Sequence, residues 1–573
     1  MTLLRRVAPF LRPHAAPIAI AAASMIGATL IQLAPPELAK IAVDRGIAHH
    51  DGHTIDVVAL VYLGLLLLRP VFERGIVLGS ARGGERFLGD LRTAAYNRLH
   101  DLSVPFFERE RAGVLVSRLT ADVQTLTTFT RVVLIEVVGS SLLFVLTLAI
   151  LISLSPLLSS VMLVAVPVLT WSSLRYNRMS RPAYLSLRDR VADTMSSLQE
   201  GLAGVRVVQS FGREEDRYAA YRERSAAQVH AWRRISLVNI GFFPAIAFAQ
   251  SLATASVILA GGYLYDHHRV SIGTVIAFTL YLLQLFDPIA RLGDWFSEFQ
   301  SGRAALAKIV SLVDEPVTVA DGESELPAAG ALAVRAATFA YSTRAPAVAD
   351  VSLEIAAGEH VALVGATGAG KSTLAKLLVR AYDPGQGSVT FGGIDLRDAT
   401  RESLRRRIVF LPQEGHVFTG SLADNVRLAR PDATDDEVRD ALRAVGALER
   451  FEALTNGLFT DVRSRGVRLS SGERQLVSLA RVALADPAVI VLDEATSSLD
   501  PRTEADVEEA LAAVARGRAV ITIAHRLSTA ERADRVAVMD HARLVELGPH
   551  AELVAHGGRY SQLWASWQAG LAT

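Results

Sequence analysis

Long apolar runs without a formal charge constrain this chain more than any other feature. Ala15 to Pro36 contains no Asp, Glu, Lys or Arg, and neither does Ile235 to Tyr265. From Val132 to Leu174 the only formal charge is Glu136. A membrane crossing takes about 20 apolar residues, so this last stretch is too long for one span. Ser153, Ser155 and Pro156 offer a tight turn inside it, which divides it into two. Val57–Ala81 and Ile272–Phe286 supply two more spans, the first interrupted by charges and the second short. Six membrane helices are expected, because repeated runs of this length exceed what a buried core helix needs.

Basic residues orient the spans. Arg5, Arg6 and Arg12 precede the first. Arg82, Arg86, Arg92, Arg98, Arg109, Arg111 and Arg118 lie between the second and third, and the connection between the fourth and fifth is also Arg-rich. The opposite connections carry only Lys40, Arg45 and Arg269. Positive residues stay in the cytoplasm, so both termini are expected there, with no cleavable signal peptide. The connections Arg82–Arg131 and Arg175–Arg234 are too long for plain loops. Leu88, Leu91, Ala95, Leu99 and Leu102 recur at helical spacing, so the membrane helices are expected to continue into the cytosol. Each connection breaks at its middle, at Pro105-Phe106-Phe107-Glu108 and at Gly201, Gly204 and Gly212. On pattern alone these breaks fit a simple helix hairpin and a docking knob equally well.

Composition removes several classes. The 573 residues include 59 basic and 59 acidic side chains, so no basic excess exists to neutralise nucleic-acid phosphates. No Cys is present, which excludes disulfides, thiolate nucleophiles and Cys-ligated zinc. Lysine occurs only at Lys40, Lys308, Lys371 and Lys376, against 55 Arg, a bias expected of a GC-rich bacterial genome. Near residue 315 the pattern changes. A turn-rich linker over 316–330 separates an expected membrane domain, 1–315, from short β runs alternating with helices over 331–573, an α/β signal.

That second half carries the chemistry. The apolar run Val361–Val364 feeds Gly365-Ala366-Thr367-Gly368-Ala369-Gly370-Lys371-Ser372-Thr373, and a helix is expected from Leu374 to Val379. Strand, glycine-rich loop, helix is the context of a phosphate-binding P-loop. The glycines let backbone N–H groups approach phosphate oxygens, and the helix adds its positive end. Lys371 places a compact charge on the outer phosphates, and Ser372 offers a hydroxyl to Mg²⁺. A second apolar strand, Ala488–Leu492, ends in Asp493-Glu494. Asp493 suits Mg²⁺ and Glu494 suits orienting and deprotonating the attacking water.

Further residues in order resemble the ATP-binding cassette (ABC) transporters. Leu469-Ser470-Ser471-Gly472-Glu473 resembles the family's signature, Gln413 the Q-loop, and Ser497-Ser498-Leu499-Asp500 the D-loop. His525 resembles the switch histidine and Tyr341 the adenine-stacking A-loop residue. The first half resembles the six-helix exporter fold. The resemblance implies ATP and Mg²⁺ as cofactors. Gln413 then reports γ-phosphate or metal to the membrane half, His525 donates to the γ-phosphate, and Glu494 is the base. It also implies a second half-transporter, identical or related, whose ATP meets Ser470, Gly472, Glu473 and Asp500 in trans. The hairpin turns near Phe106-Phe107 and Ser210-Phe211 would sit on the ATPase surface. Ser471 and Glu473 depart from the usual Gly and Gln, and the Cβ of Ser471 is expected to narrow the signature turn. Arg463-Ser464-Arg465-Gly466 departs from the usual acidic stretch.

Arg69 and Glu73 stand four apart in the second span, and Glu136 and Asp287 in the third and sixth. Such residues face protein or water, so they are candidates for a cargo cavity, the first two equally for a self-neutralising pair. The expected function is ATP-driven transport of a small molecule, lipid or drug across a bacterial plasma membrane. Import on an exporter fold and an ATP-gated channel remain alternatives.

Overall fold

The computed structural model describes residues 2–571 apart from 342–344, 414, 463–468, 494–500 and 525–526. Two compact units emerge. One comprises 1–100 and 112–315; the other comprises 316–573 and, detached in sequence, 101–111. A short turn, 101–111, belongs with the α/β unit.

Six helices of the first unit are long and apolar enough to cross a membrane: Arg5–Ile47, Gly52–Asp101, Ala112–Leu154, Pro156–Ala203, Glu214–Asp266 and Ile272–Ile289. The last continues to Val313. Ser155 begins the fourth helix as an N-cap, its hydroxyl accepting from Leu158 N–H beside Pro156. The second helix runs unbroken for 50 residues, and Leu88, Leu91 and Ala95 are buried along its C-terminal part. The stripe read from spacing is therefore a packing face. Where the first two helices approach, a Cβ on Gly79 would stand 2.7 Å from Pro17 O. Gly75, Gly79 and Gly83 form a small-residue seam that lets two backbones come together where lipid supplies no hydrophobic drive.

The sixth helix is held to the first at two levels. Buried Tyr281 donates its hydroxyl to Leu33 O at 2.6 Å. At the far end Asp44 accepts from Ser271 Oγ at 2.5 Å and from Gly273 N at 2.8 Å. The carboxylate thus takes up an N–H of the helix start that has no intrahelical acceptor.

The α/β unit has two sheets. Strands β1 (Leu332–Phe339), β2 (Val348–Ile355), β4 (Gln386–Phe391) and β5 (Ile394–Asp395) form an antiparallel sheet in the order β2-β1-β4-β5. Strands β3 (His360–Val364), β6 (Ile408–Leu411), β7 (Val489–Asp493), β8 (Ala519–Ile523), β9 (Arg535–Asp540) and β10 (Arg543–Gly548) form the second, in the order β10-β9-β3-β8-β7-β6. The pairs from β9 through β6 are parallel. Their continuous Val, Ile, Leu and Ala runs suit strands buried on both faces. The linker over 316–330 is not a loose tether. Buried Arg380 donates to Ala320 O at 2.7 Å and Ala399 O at 3.0 Å, and Leu326 is packed into the core.

Candidate active site

The glycine-rich loop leaves β3 and enters the helix Lys371–Leu378. Leu374 N–H donates to Gly370 O at 2.9 Å, which closes the first turn. Lys371, Ser372 and Thr373 therefore belong to the helix, which begins at Lys371 rather than at the expected Leu374. Two glycines are obligatory here. Gly370 has φ +103° and a Cβ on it would lie 2.3 Å from Ala347 O; Gly365 has φ +150° and its Cβ would lie 2.2 Å from Met539 O. Gly370 stands at the N-cap and brings no side-chain acceptor to the helix start. Near Gly368 (φ +82°) a Cβ would project into open space, the side on which a ligand can approach the backbone.

Lys371 is only 6% exposed. Its Nζ donates to Gly365 O at 2.7 Å and Ala366 O at 3.1 Å. Burial pulls the ammonium below the ordinary lysine value, and the charge of Asp493 works against that shift. A partly desolvated cation at an uncapped helix N-terminus fits a polyphosphate, which returns the lost solvation as charge-assisted hydrogen bonds. Asp493 ends β7, and Ser372 is exposed on the first helical turn. No group of three or more His, Asp or Glu side chains able to hold a metal ion occurs among the described residues. Ser372 and Asp493 are oxygen donors of the kind Mg²⁺ takes, one or two protein oxygens together with substrate phosphates and water.

Ala369 is buried in the core and donates its N–H to Ala366 O at 3.1 Å, so that N–H is spent inside the loop. Thr367 is exposed. Thr373 is buried, and its hydroxyl lies 3.1 Å from the Tyr341 hydroxyl. Tyr341 is 51% exposed. Its ring meets Phe339 and Tyr382 edge-on at 5.0 and 5.3 Å, and Lys376 Nζ lies 5.7 Å from its centre. Within the same unit, the turn helix Val104–Arg109 brings Glu108 to 2.8 Å from Lys376 Nζ. Glu108 also accepts from the Tyr382 hydroxyl at 2.8 Å. Gln413 is exposed two residues beyond β6.

The signature residues open the helix Ser471–Ala485 with a reciprocal capping box. Glu473 N–H donates to Ser470 Oγ at 3.2 Å, and Ser470 N–H donates to Glu473 Oε2 at 2.8 Å. Gly472 is buried. Ser471 is the first helical residue and is exposed, so its Cβ does not narrow a turn: the box has already started the helix.

The candidate cavity residues form three separate contacts. Arg69 Nε donates to Glu73 at 2.7 Å, with both side chains about half exposed. Asp287 pairs with Arg291 at 3.3 Å, one turn along the sixth helix. Glu136 accepts from Trp295 Nε1 at 3.3 Å.

The ABC transporter transmembrane region matches residues 18–289, and the ABC transporter ATPase family matches 348–497. An uncharacterized ABC transporter ATP-binding protein of Bacillus subtilis is 33% identical over 94% of this chain and 90% of its own. An ATP-dependent lipid A-core flippase of Thiobacillus denitrificans is 34% identical over 98% of both chains.

The chain belongs to the ABC transporter family.

A multidrug efflux ATP-binding/permease protein of Mycobacterium bovis is 35% identical over 98% of this chain, which spans 47% of that relative. A bacterial Atm1-family ABC exporter with ATP bound superposes with a TM-score of 0.76 over 98% of both chains at 27% identity. The chain is an ABC exporter half-transporter: one membrane region fused to one ATPase whose activity is coupled to transport. In this exporter Glu494, Asp500 and His525 lie outside the described residues, as does the stretch from Arg463 to Gly466. Sequence reasoning missed Glu108, Lys376 and Tyr382 as neighbours of Tyr341. One signal was present: Lys376 is one of four lysines in a chain that otherwise uses Arg.

Proposed function

We propose that this chain forms a dimer with an identical or related half and exports a small molecule, lipid or drug from the bacterial cytoplasm, with both termini inside. The observation that carries the reading is the phosphate loop: an uncapped helix start behind Gly370 with a buried, partly desolvated Lys371. Lys371 holds the outer phosphates, and N–H groups along Gly365–Thr373 other than that of Ala369 bind the rest. Tyr341 offers its exposed surface to adenine, a contact worth about 1–3 kcal/mol. Ser372, Asp493 and Gln413 are the residues that would hold Mg²⁺, which when bound neutralises charge on the transferred phosphoryl group. Glu494 takes the proton of the attacking water, and His525 donates to the γ-phosphate.

The second turn, Val205–Ser210, exposes Val207, and Phe211 just after it is exposed too. This apolar end suits docking on the ATPase of the other half. Ser470, Gly472, Glu473 and Asp500 face that half's ATP. Relatives named for multidrug efflux, lipid A-core and fatty acid transport support a cargo with a large apolar part. Arg69 and Glu73 supply polar wall to the pathway.

The test is Mg²⁺-ATPase activity of the chain alone in lipid nanodiscs beside Glu494→Gln. Activity that disappears in the variant supports a working homodimer. Folded protein that binds ATP without turnover points to a different second half. Folded protein that fails to bind ATP overturns the reading.

A further inference from the structure

Four side chains from three distant stretches of sequence meet beside Tyr341. Glu108 comes from the first turn, Lys376 from the phosphate-loop helix, Tyr382 from just beyond it, and Phe339 from β1. One Glu108 oxygen bonds Lys376 Nζ and the other accepts the Tyr382 hydroxyl, each at 2.8 Å. Both partners touch the Tyr341 ring, Lys376 as a cation near its face and Tyr382 edge-on. The Tyr341 hydroxyl is tied to Thr373 of the phosphate-loop helix. Tyr341 is thus fixed at its tip and along its sides while half of it stays open.

We propose that Glu108 is a positioning residue for the nucleotide base: through Lys376 and Tyr382 it sets the pose of Tyr341, so that a shift of the first turn changes the affinity for ATP without touching its phosphates. This rests on the reading of Tyr341 as the adenine-stacking residue. Removing the Glu108 carboxylate leaves the Lys376 ammonium and the Tyr382 hydroxyl without their shared acceptor. A half-buried lysine then turns toward solvent, and the ring loses both its cation and its edge support. An open cleft of about 360 Å³ lies against the turn, with Leu102, Val104, Val379 and Leu404 in its walls. The turn follows the 50-residue second helix directly in sequence. By linkage, ATP that favours one pose of Tyr341 favours the matching pose of the turn to the same degree.

The experiment measures KM for ATP and kcat for the full chain in nanodiscs, with inhibition by inorganic tripolyphosphate as a probe that lacks a base. Glu108→Gln is expected to raise KM for ATP roughly three- to tenfold. It should leave kcat and the tripolyphosphate inhibition constant nearly unchanged. Glu108→Asp, which keeps the carboxylate, is expected to recover part of the loss. Tyr341→Ala should raise KM at least as much. An unchanged KM in Glu108→Gln beside a raised KM in Tyr341→Ala overturns the relay and leaves the adenine reading standing. An unchanged KM in Tyr341→Ala overturns the adenine reading, and the relay with it. A parallel loss of kcat and of tripolyphosphate binding, with no recovery in Glu108→Asp, makes Glu108 a structural residue and also overturns the proposal.

Discussion

The phosphate-loop helix and the signature helix open in opposite ways. The first starts behind Gly370, whose left-handed backbone brings no side chain to the orphan N–H groups. The second starts inside a closed box in which Ser470 and Glu473 satisfy each other's N–H groups. A helix N-terminus binds an anion well when its donors are unclaimed and poorly when its own carboxylate sits on them. The helix that keeps its donors free also carries the buried cation. The other carries an acid where the family usually places an amide. One end therefore leaves its first turn open to an anion, and the other holds its own shape around the Ser470 hydroxyl, which accepts from Glu473 N–H and still has a proton to donate.

The largest expected effect breaks the gripping end. Lys371→Ala should lower ATPase turnover by roughly a hundredfold or more, read by phosphate release at saturating ATP. A loss below about fivefold would deny Lys371 its role on the phosphates. Gly370→Ala comes next. It forces a Cβ against Ala347 O at a φ that L-residues avoid, so ATP affinity should fall roughly tenfold. Thermal stability should drop by about 1–3 kcal/mol.

At the closed end the effects are smaller. Ser470→Ala opens the box and should cost about 1 kcal/mol of stability, with a further loss of turnover if the hydroxyl meets the partner's nucleotide. Glu473→Gln sharpens the comparison most cleanly, because glutamine can close the same box without the charge. KM for ATP should fall by about two- to fivefold, the scale of one exposed charge interaction. No change would show that the signature end carries no electrostatic penalty.

The smallest effect lies at the start of β3. Burial holds His360 below the ordinary imidazole value, with Asp534 opposing that shift, and Thr522 Oγ1 lies 2.9 Å from its Nε2. The unfolded chain therefore takes up the proton first. The stability this gives is full above pH 6.5 and is lost as pH falls from 6.5 toward the folded value. The unfolding midpoint of wild type should decline over that window, and His360→Gln should flatten the decline.

Much of this protein was legible without coordinates, and the legible parts share one property. Six spans follow from transfer free energy, which each run of residues carries by itself. The phosphate loop follows from local backbone freedom at Gly365 and Gly370 and from a strand and helix directly beside it. The helix starts three residues before the expected Leu374, and the sequence hides that start because no side-chain cap marks Gly370. The capping box lies inside the signature, where the same two residues, Ser470 and Glu473, suit both a helix cap and a contact to ATP.

What the sequence determined, then, is what short-range physics decides: which segments leave water, where the backbone needs glycine, and where a strand, a glycine-rich loop and a helix follow one another. The tertiary structure alone decided which distant side chains meet. Tyr341 is set among Lys376, Tyr382 and, through them, Glu108, residues separated by up to 274 positions. Glu136 finds Trp295, and Asp44 finds Ser271. Those contacts depend on strand order, helix crossing and the return of the 101–111 turn to the α/β unit. No local propensity encodes them, because each partner is acceptable in its own segment and acquires its role only when the fold closes the gap between them.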